Sequence, residues 1–279
     1  MRKSFLIVNL FIGLWLLFAQ SCMRMRKSDV VAQQEFSQSG VTLKTATVDL
    51  EGFPLHYAQT GSDTAQTLLF VHGSPGSWSA FENYLKNKAL QARYRIISVD
   101  RPGFGYSDFG DAKNLSEQAN MIALFMDKIN NHRPITIVGH SLGGPLVVKL
   151  TALRPQYIKA TVVLAGALDP AAEAPEKWRP WLFKTPLNWL IPGALRPSNQ
   201  ELWFLKQDLR EMTGDYAKII TPVYLFHGKK DMLVPYSNVA YAQQKLTNAR
   251  LVRVTSFENE NHFIVWTQEA TITQFLLVL

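Results

Sequence analysis

The chain has 279 residues, 47% of them hydrophobic and 18% charged, proportions that suit a folded protein with a large buried core and exclude a disordered one. Its net charge of +7 would fit a nucleic-acid binder, but Arg2, Lys3, Arg24, Arg26 and Lys27 supply five of those charges before residue 28. The remainder is close to neutral, with no basic face, so nucleic acid is excluded as a partner.

The chain opens with Met1-Arg2-Lys3 and an apolar run from Phe5 to Phe18, the charged start and short hydrophobic stretch of a secretory signal over residues 1–21. The run is brief for a membrane-spanning helix. It ends in Ala19-Gln20-Ser21-Cys22, and Cys22 is the sole cysteine of the sequence, so no disulfide can form within one chain. Its place resembles that of the lipid-modified cysteine in a bacterial lipoprotein signal. That resemblance implies a mature protein beginning at Cys22, lipid-anchored to a membrane of the bacterial cell envelope. Gln20, and the lack of leucine at position 19, depart from the commonest pattern, which leaves ordinary signal cleavage or a retained N-terminal anchor open. Arg24, Arg26 and Lys27 would add attraction to anionic headgroups. Residues 22–40 are polar with little periodicity and read as a tether, so folded structure is expected over 41–279.

Val41 to Leu50 and Phe53 to Gln59 alternate apolar and polar residues around Glu51-Gly52, the pattern of a hairpin. His56 within it reads as structural. A third strand, Thr67 to Val71, runs into His72-Gly73-Ser74-Pro75-Gly76, where His72 reads as an organiser of the loop. Trp78 to Leu90 suits a helix, and Arg95 to Val99 a strand ending in DRPGFGYSD, residues 100–108. Asp100 and Asp108 are expected to fix that turn by bonds to backbone. An amphipathic helix over Ser116 to Asn130, capped near Asn114 or Ser116, leads past the turn residue His132 to a β-branched strand from Ile135.

That strand meets Gly139-His140-Ser141-Leu142-Gly143, and Leu146, Val147, Leu150 and Leu153 follow at helical spacing. G-x-S-x-G between a buried strand and a helix resembles the nucleophile elbow of the α/β-hydrolase family. HGSPG and DRPGFGYSD resemble two further loops of that family. The resemblance implies an α/β fold, a mostly parallel central sheet with helices on both faces and a helical lid inserted after the sixth strand. It implies Ser141 as the nucleophile, backbone N–H groups of Ser74 and Leu142 as the oxyanion hole, and a cis peptide at Ser74-Pro75.

After the strand Ala160 to Gly166, residues 167–215 hold six prolines and four of the seven tryptophans, and they fit the lid. Trp178, Trp181 and Trp189 are the expected substrate-binding residues there. Pro222 to Phe226 resumes the sheet and delivers HGKKDMLVP, which resembles the family loop bearing the catalytic acid, assigned to Asp231, with Asp169 as its competitor. A helix from Tyr236 to Leu246 and a strand from Arg250 to Val254 precede His262, the general base by the chain order Ser, Asp, His. The expected activity is hydrolysis of an ester of a small or medium apolar acyl group, without metal or organic cofactor. A serine nucleophile decides against the epoxide hydrolases and haloalkane dehalogenases, which use aspartate. An acyltransferase, a carbon–carbon bond hydrolase and a proline-type aminopeptidase share the same machinery, and a lipoprotein using the fold only for binding is the non-enzymatic alternative.

Overall fold

The computed structural model describes residues 2–21, 23–174 and 176–279. The proposed lipidation site, Cys22, lies outside the described residues. In chain order the strands are β1 (Lys44–Leu50), β2 (Phe53–Thr60), β3 (Gln66–Val71), β4 (Tyr94–Val99), β5 (Ile135–His140), β6 (Ile158–Leu164), β7 (Val223–Gly228) and β8 (Val252–Phe257). The helices are α1 (Arg2–Ser21), α2 (Asp29–Gln38), α3 (Glu82–Lys86), α4 (Lys88–Arg93), α5 (Leu115–Ile129), α6 (Gly143–Leu153), α7 (Arg179–Phe183), α8 (Leu195–Glu211), α9 (Ser237–Lys245), α10 (Ile264–Thr267) and α11 (Glu269–Val278).

The eight strands form one sheet in the order β1-β2-β4-β3-β5-β6-β7-β8. β1 and β2 pair antiparallel, as do β2 and β4, and every later pairing is parallel. Residues of β4 and β5 are buried throughout, because helices cover both faces of these strands and alternate side chains serve two different cores. Leu69, Val71, Ile97 and Ile137 enter one core with Ile122 and Phe125 of α5 and Leu146 and Leu150 of α6. Leu68, Phe70, Ile96 and Val138 enter the other, with Leu90 of α4 and Ile272 and Leu276 of α11. Register brings the carboxyl ends of the central strands level, Val71 opposite Val99 and Gly139, and His140 opposite Leu164. Strand order reverses between β3 and β5, and the loops leaving that point open a crevice.

Two elements depart from the expectations. The expected helix from Trp78 to Leu90 is a 3₁₀ turn (Trp78–Phe81) followed by α3 and α4, broken at Asn87, which is extended (ψ 109°) and caps Leu90 N–H with its side chain at 3.1 Å. Asparagine prefers that cap to the interior of a helix. The tether expected over 22–40 is corrected more substantially. Residues 29–38 are helical, capped by Ser28, and bury Ala32 and Phe36 completely against Trp78 and the β3–β4 face. Only two residues of α2 reach the core, too few to mark it as amphipathic. Asp29 then fastens it to the sheet through His56 Nε2 at 3.1 Å.

Between β6 and β7 the chain makes an excursion through α7, a 3₁₀ turn (Pro186–Leu190), α8 and a second 3₁₀ turn (Met212–Lys218). Pro180 and Pro186 sit in the first turn of their short helices, where no N–H is missed. α1 is long and apolar enough to cross a membrane, with a mean hydropathy of 1.8 over Ser4–Ser21. Its end touches the insertion. Trp15 Nε1 donates to Leu190 O at 3.1 Å, Gln20 Nε2 to Trp189 O and Ile191 O at 2.8 and 3.0 Å, and Gly193 N–H to Ala19 O at 2.8 Å.

Candidate active site

β5 carries the chain straight to Ser141, which has φ +54°, a left-handed conformation that costs a residue with a side chain about 1–3 kcal/mol. The surroundings compensate. Ser141 N–H donates to Leu164 O at 2.9 Å, and Ser141 O accepts from Gly144 N–H at 2.9 Å as α6 begins. The glycines around it are places where backbone meets backbone. A Cβ on Gly139 would lie 2.2 Å from Gly143 O, one on Gly143 2.3 Å from Val71 O, and one on Gly144 2.7 Å from Gly166 Cα. On Gly73 it would stand 2.8 Å from Ser141 Cβ, so the loop after β3 lies directly against the serine side chain. Ser74 follows Gly73 and Leu142 follows Ser141, which puts both expected oxyanion donors on the two backbones that flank the serine.

The loops after β7 and β8 bring Asp231 to His262, with Asp231 Oδ2 2.7 Å from His262 Nδ1. Leu233 and Val234 N–H groups bond the other oxygen at 2.9 and 2.8 Å. Burial works to raise the Asp231 pKa, but hydrogen bonds from His227, His262 and Val234 N–H outweigh it and hold the carboxyl well below the usual range. The carboxylate therefore accepts the Nδ1 proton of His262 and leaves Nε2 as the basic atom. Asp169 makes no such pair: its Oδ1 accepts from Ala171 N–H and its own N–H bonds Asn238.

His140 has a role that sequence reasoning left unassigned. Its Nε2 donates to His262 O at 3.1 Å, and the two rings lie 5.0 Å apart. Burial, with His262 close by, pushes its pKa down to about 3, so it is a neutral donor at ordinary pH. The residue beside the serine thus holds the backbone of His262. Its signal was in plain view as the second position of GHSLG. His227, first residue of HGKKD, likewise went unassigned; its Nε2 sits 2.9 Å from Val234 O and 3.4 Å from Asp231 Oδ2, bracing the loop that carries Asp231.

The loop after β3 has the cis peptide at Ser74-Pro75. His72 organises it as expected: Nδ1 donates to Gly73 O at 2.7 Å and Nε2 accepts Arg101 N–H at 3.0 Å. Burial, with the Arg101 charge added, holds its pKa well below normal, which keeps the ring in that neutral form. Asp100 fixes its turn through Tyr106 N–H and Trp78 N–H, and its carboxylate also bonds His56 Nδ1 at 2.8 Å, a partner the sequence did not suggest. Asp108 and His132 take left-handed turn positions at φ +51° and +60°.

The sequence profile of the alpha/beta hydrolase fold matches residues 66–198, the span from β3 through the elbow into α8. The chain has the α/β-hydrolase fold. Among the chain's relatives, the acetyltransferase component of an acetoin cleaving system from Cupriavidus necator is 32% identical over 119 residues, 42% of this chain and 30% of that protein. A pimeloyl-[acyl-carrier protein] methyl ester esterase from Nitrosomonas europaea is 23% identical over 71% of this chain and 89% of its own. A membrane phospholipase A, a bacterial virulence factor, superposes with a TM-score of 0.65 at 20% identity, covering 100% of this chain and 97% of its own. The match thus spans less than a third of the first of these relatives, and most of the second.

Trp178, Trp181 and Trp189 are 49%, 61% and 60% exposed, so they lie on the surface of the insertion and do not enclose a dry pocket. Arg179 covers one face of Trp178 and Arg196 one face of Trp189, at 4.8 and 4.9 Å. Among the described residues no cluster of three or more His, Cys, Asp or Glu stands ready for a metal.

Proposed function

We propose that the protein is a serine hydrolase that cleaves an ester of a small or medium apolar acyl group through an acyl-enzyme. The observation that carries this reading is the meeting of three loops: Ser141 at φ +54° with Gly73 pressed against it, and His262 oriented by Asp231 at 2.7 Å while His140, next to the serine, holds the His262 carbonyl. His262 Nε2 takes the Ser141 hydroxyl proton as Oγ attacks the acyl carbonyl, and Asp231 steadies the resulting imidazolium. The oxyanion is met by the N–H groups of Ser74 and Leu142. His262 then protonates the departing alcohol; a water gives His262 a proton as it attacks the acyl carbonyl, and His262 passes that proton to Ser141 Oγ as the Oγ–acyl bond breaks and the acid leaves. The insertion serves as a lid whose exposed tryptophans meet an apolar substrate on its approach.

A fluorophosphonate should label Ser141, and Ser141→Ala should lose labelling and all but about a thousandth or less of ester turnover while keeping its fold. Turnover above a few per cent of wild type in a folded Ser141→Ala would refute the nucleophile.

The N-terminal segment supports attachment to a bacterial membrane, with lipid on Cys22 as the anchor. The bonds from Trp15, Ala19 and Gln20 to the insertion favour a second reading, in which α1 stays on the chain as the anchor. Intact mass of membrane fractions separates them. A lipid-bearing chain starting at residue 22 supports the first, and an uncleaved unlipidated chain the second.

A further inference from the structure

Arg101 is the second residue of the loop after β4, it is fully buried, and the hydrolytic steps above make no use of it. A guanidinium that has left water entirely needs partners for its charge. Glu201 of α8, itself only 3% exposed, supplies them in a two-pronged pair, Nη1 to Oε2 at 2.8 Å and Nη2 to Oε1 at 2.9 Å. Gln118 of α5 closes the cluster, accepting from Arg101 Nη1 at 2.7 Å and donating to Glu201 at 3.2 Å.

One further bond gives the cluster a bearing on chemistry. Arg101 Nη2 donates to Gly73 O at 3.0 Å, and His72 Nδ1 donates to the same oxygen at 2.7 Å. Gly73 C=O and Ser74 N–H are opposite ends of one planar trans peptide unit. Fixing the carbonyl therefore fixes the direction of the N–H, and two donors on the oxygen, one of them cationic, polarise the unit and strengthen that N–H as a donor. α8, which reaches this peptide through Arg101, also bonds the Ser74 side chain directly. Ser74 Oγ donates to Ser198 Oγ at 2.8 Å, and Ser198 and Glu201 stand three apart, on one face of the helix.

We propose that Arg101, Glu201 and Ser198 are positioning residues for the oxyanion hole, so that Ser74 N–H is aimed for catalysis only while α8 of the insertion is docked. This rests on the ester-hydrolase reading, in which Ser74 N–H stabilises the oxyanion. The insertion then has two duties, covering the serine and completing the site that the serine needs. Its contact with the sheet is part of the machinery even though none of the three side chains touches substrate.

The test is steady-state ester hydrolysis by three variants of the full chain, with folding followed by circular dichroism and thermal melting. Glu201→Gln keeps the shape of the acid and removes its charge. The double variant Arg101→Met, Glu201→Met replaces the pair by apolar chains of similar length, an exchange that buried ion pairs commonly tolerate. Ser198→Ala loses a single hydroxyl, leaves the ion pair intact and carries little risk to folding.

The expected result is a fall in kcat with KM held within about twofold. The loss should be about 10- to 100-fold for the two ion-pair variants, below the ~10²–10³ of an oxyanion donor removed outright. For Ser198→Ala it should be about 3- to 10-fold, the value of one hydrogen bond. A transition-state analogue that forms a tetrahedral adduct on the serine should weaken in parallel with kcat, whereas binding of the acid product should not move. A merely structural bridge would change melting temperature and leave that difference untouched. Folded variants with wild-type kcat overturn the proposal, and Ser198→Ala alone decides it if both ion-pair variants fail to fold. Wild-type protein that cleaves no ester and takes no fluorophosphonate overturns the underlying reading as well, an outcome distinct from an active wild type with unaffected variants.

Discussion

Asp231→Asn should disable the enzyme by a route that can be followed atom by atom. The side chain has one oxygen committed to Leu233 and Val234 N–H and the other to His262 Nδ1. An asparagine has a single oxygen, and the two backbone donors hold it. The amide NH2 is then turned toward His262, where two donors would face each other at 2.7 Å in the present geometry. His262 escapes by moving its proton from Nδ1 to Nε2, which leaves no base opposite Ser141. A wrong tautomer of this kind costs about 10⁴ in kcat, close to 5.5 kcal/mol of transition-state stabilisation. Turnover of a chromogenic ester at neutral pH is the assay, with Asp169→Asn as the control, since Asp169 is tied to Ala171 and Asn238 and should keep kcat within about threefold, as expected of a change outside the reacting groups. Folded Asp231→Asn within tenfold of wild type, or a large loss in Asp169→Asn instead, would show the acid to be misassigned.

Two further outcomes concern stability. Burial pushes the Asp208 carboxyl up to about 6, opposed by a bond from Leu115 N–H at 3.0 Å and supported by repulsion from Glu211 and Glu201. The folded state therefore holds a proton that the unfolded state releases between about pH 4 and 6, and stability falls as pH rises through that window. Asp208→Asn, which keeps the acceptor and cannot ionise, should be more stable than wild type by about 1–3 kcal/mol at pH 8 and about equal at pH 3.5, read from urea melts; the same difference at both values would contradict it. Phe36→Ala should cost about 3–5 kcal/mol, because the ring is fully buried against Trp78, and a change below about 1 kcal/mol would return α2 to the status of a tether.

What could be read in advance depended on how far apart the interacting residues lie in the chain. β5, the turn at Ser141 and α6 adjoin one another, and β-branched run, glycines and helical spacing each announce themselves locally. Asn114 and Glu117 form a reciprocal cap across three residues, and the pattern was legible for the same reason. His140 and His262 are 122 positions apart, Arg101 and Glu201 100, and no local pattern marks either pair. α2 was missed for a different reason. Six of its ten residues are polar, Val30 and Val31 stay exposed, and the two that enter the core resemble stray apolar residues in a linker. Trp178, Trp181 and Trp189 show the converse, since aromatic abundance signalled a lining role while the short helices of the insertion turn these rings outward.

The contacts among Gly139, Gly143, Gly144, Gly166 and Gly73 bear on how such a protein can change over generations. A single methyl group would collide with backbone at Gly139, Gly143 and Gly144, with the Val163 side chain at Gly166 and with the serine itself at Gly73, so drift there is closed off almost completely. The insertion ahead of α8 is freer of that restraint: much of it lies on the surface, and its helices are short and interrupted. New substrate preferences can accumulate in it while the reacting groups stay where they are, provided that whatever replaces α8 still offers an anion to Arg101.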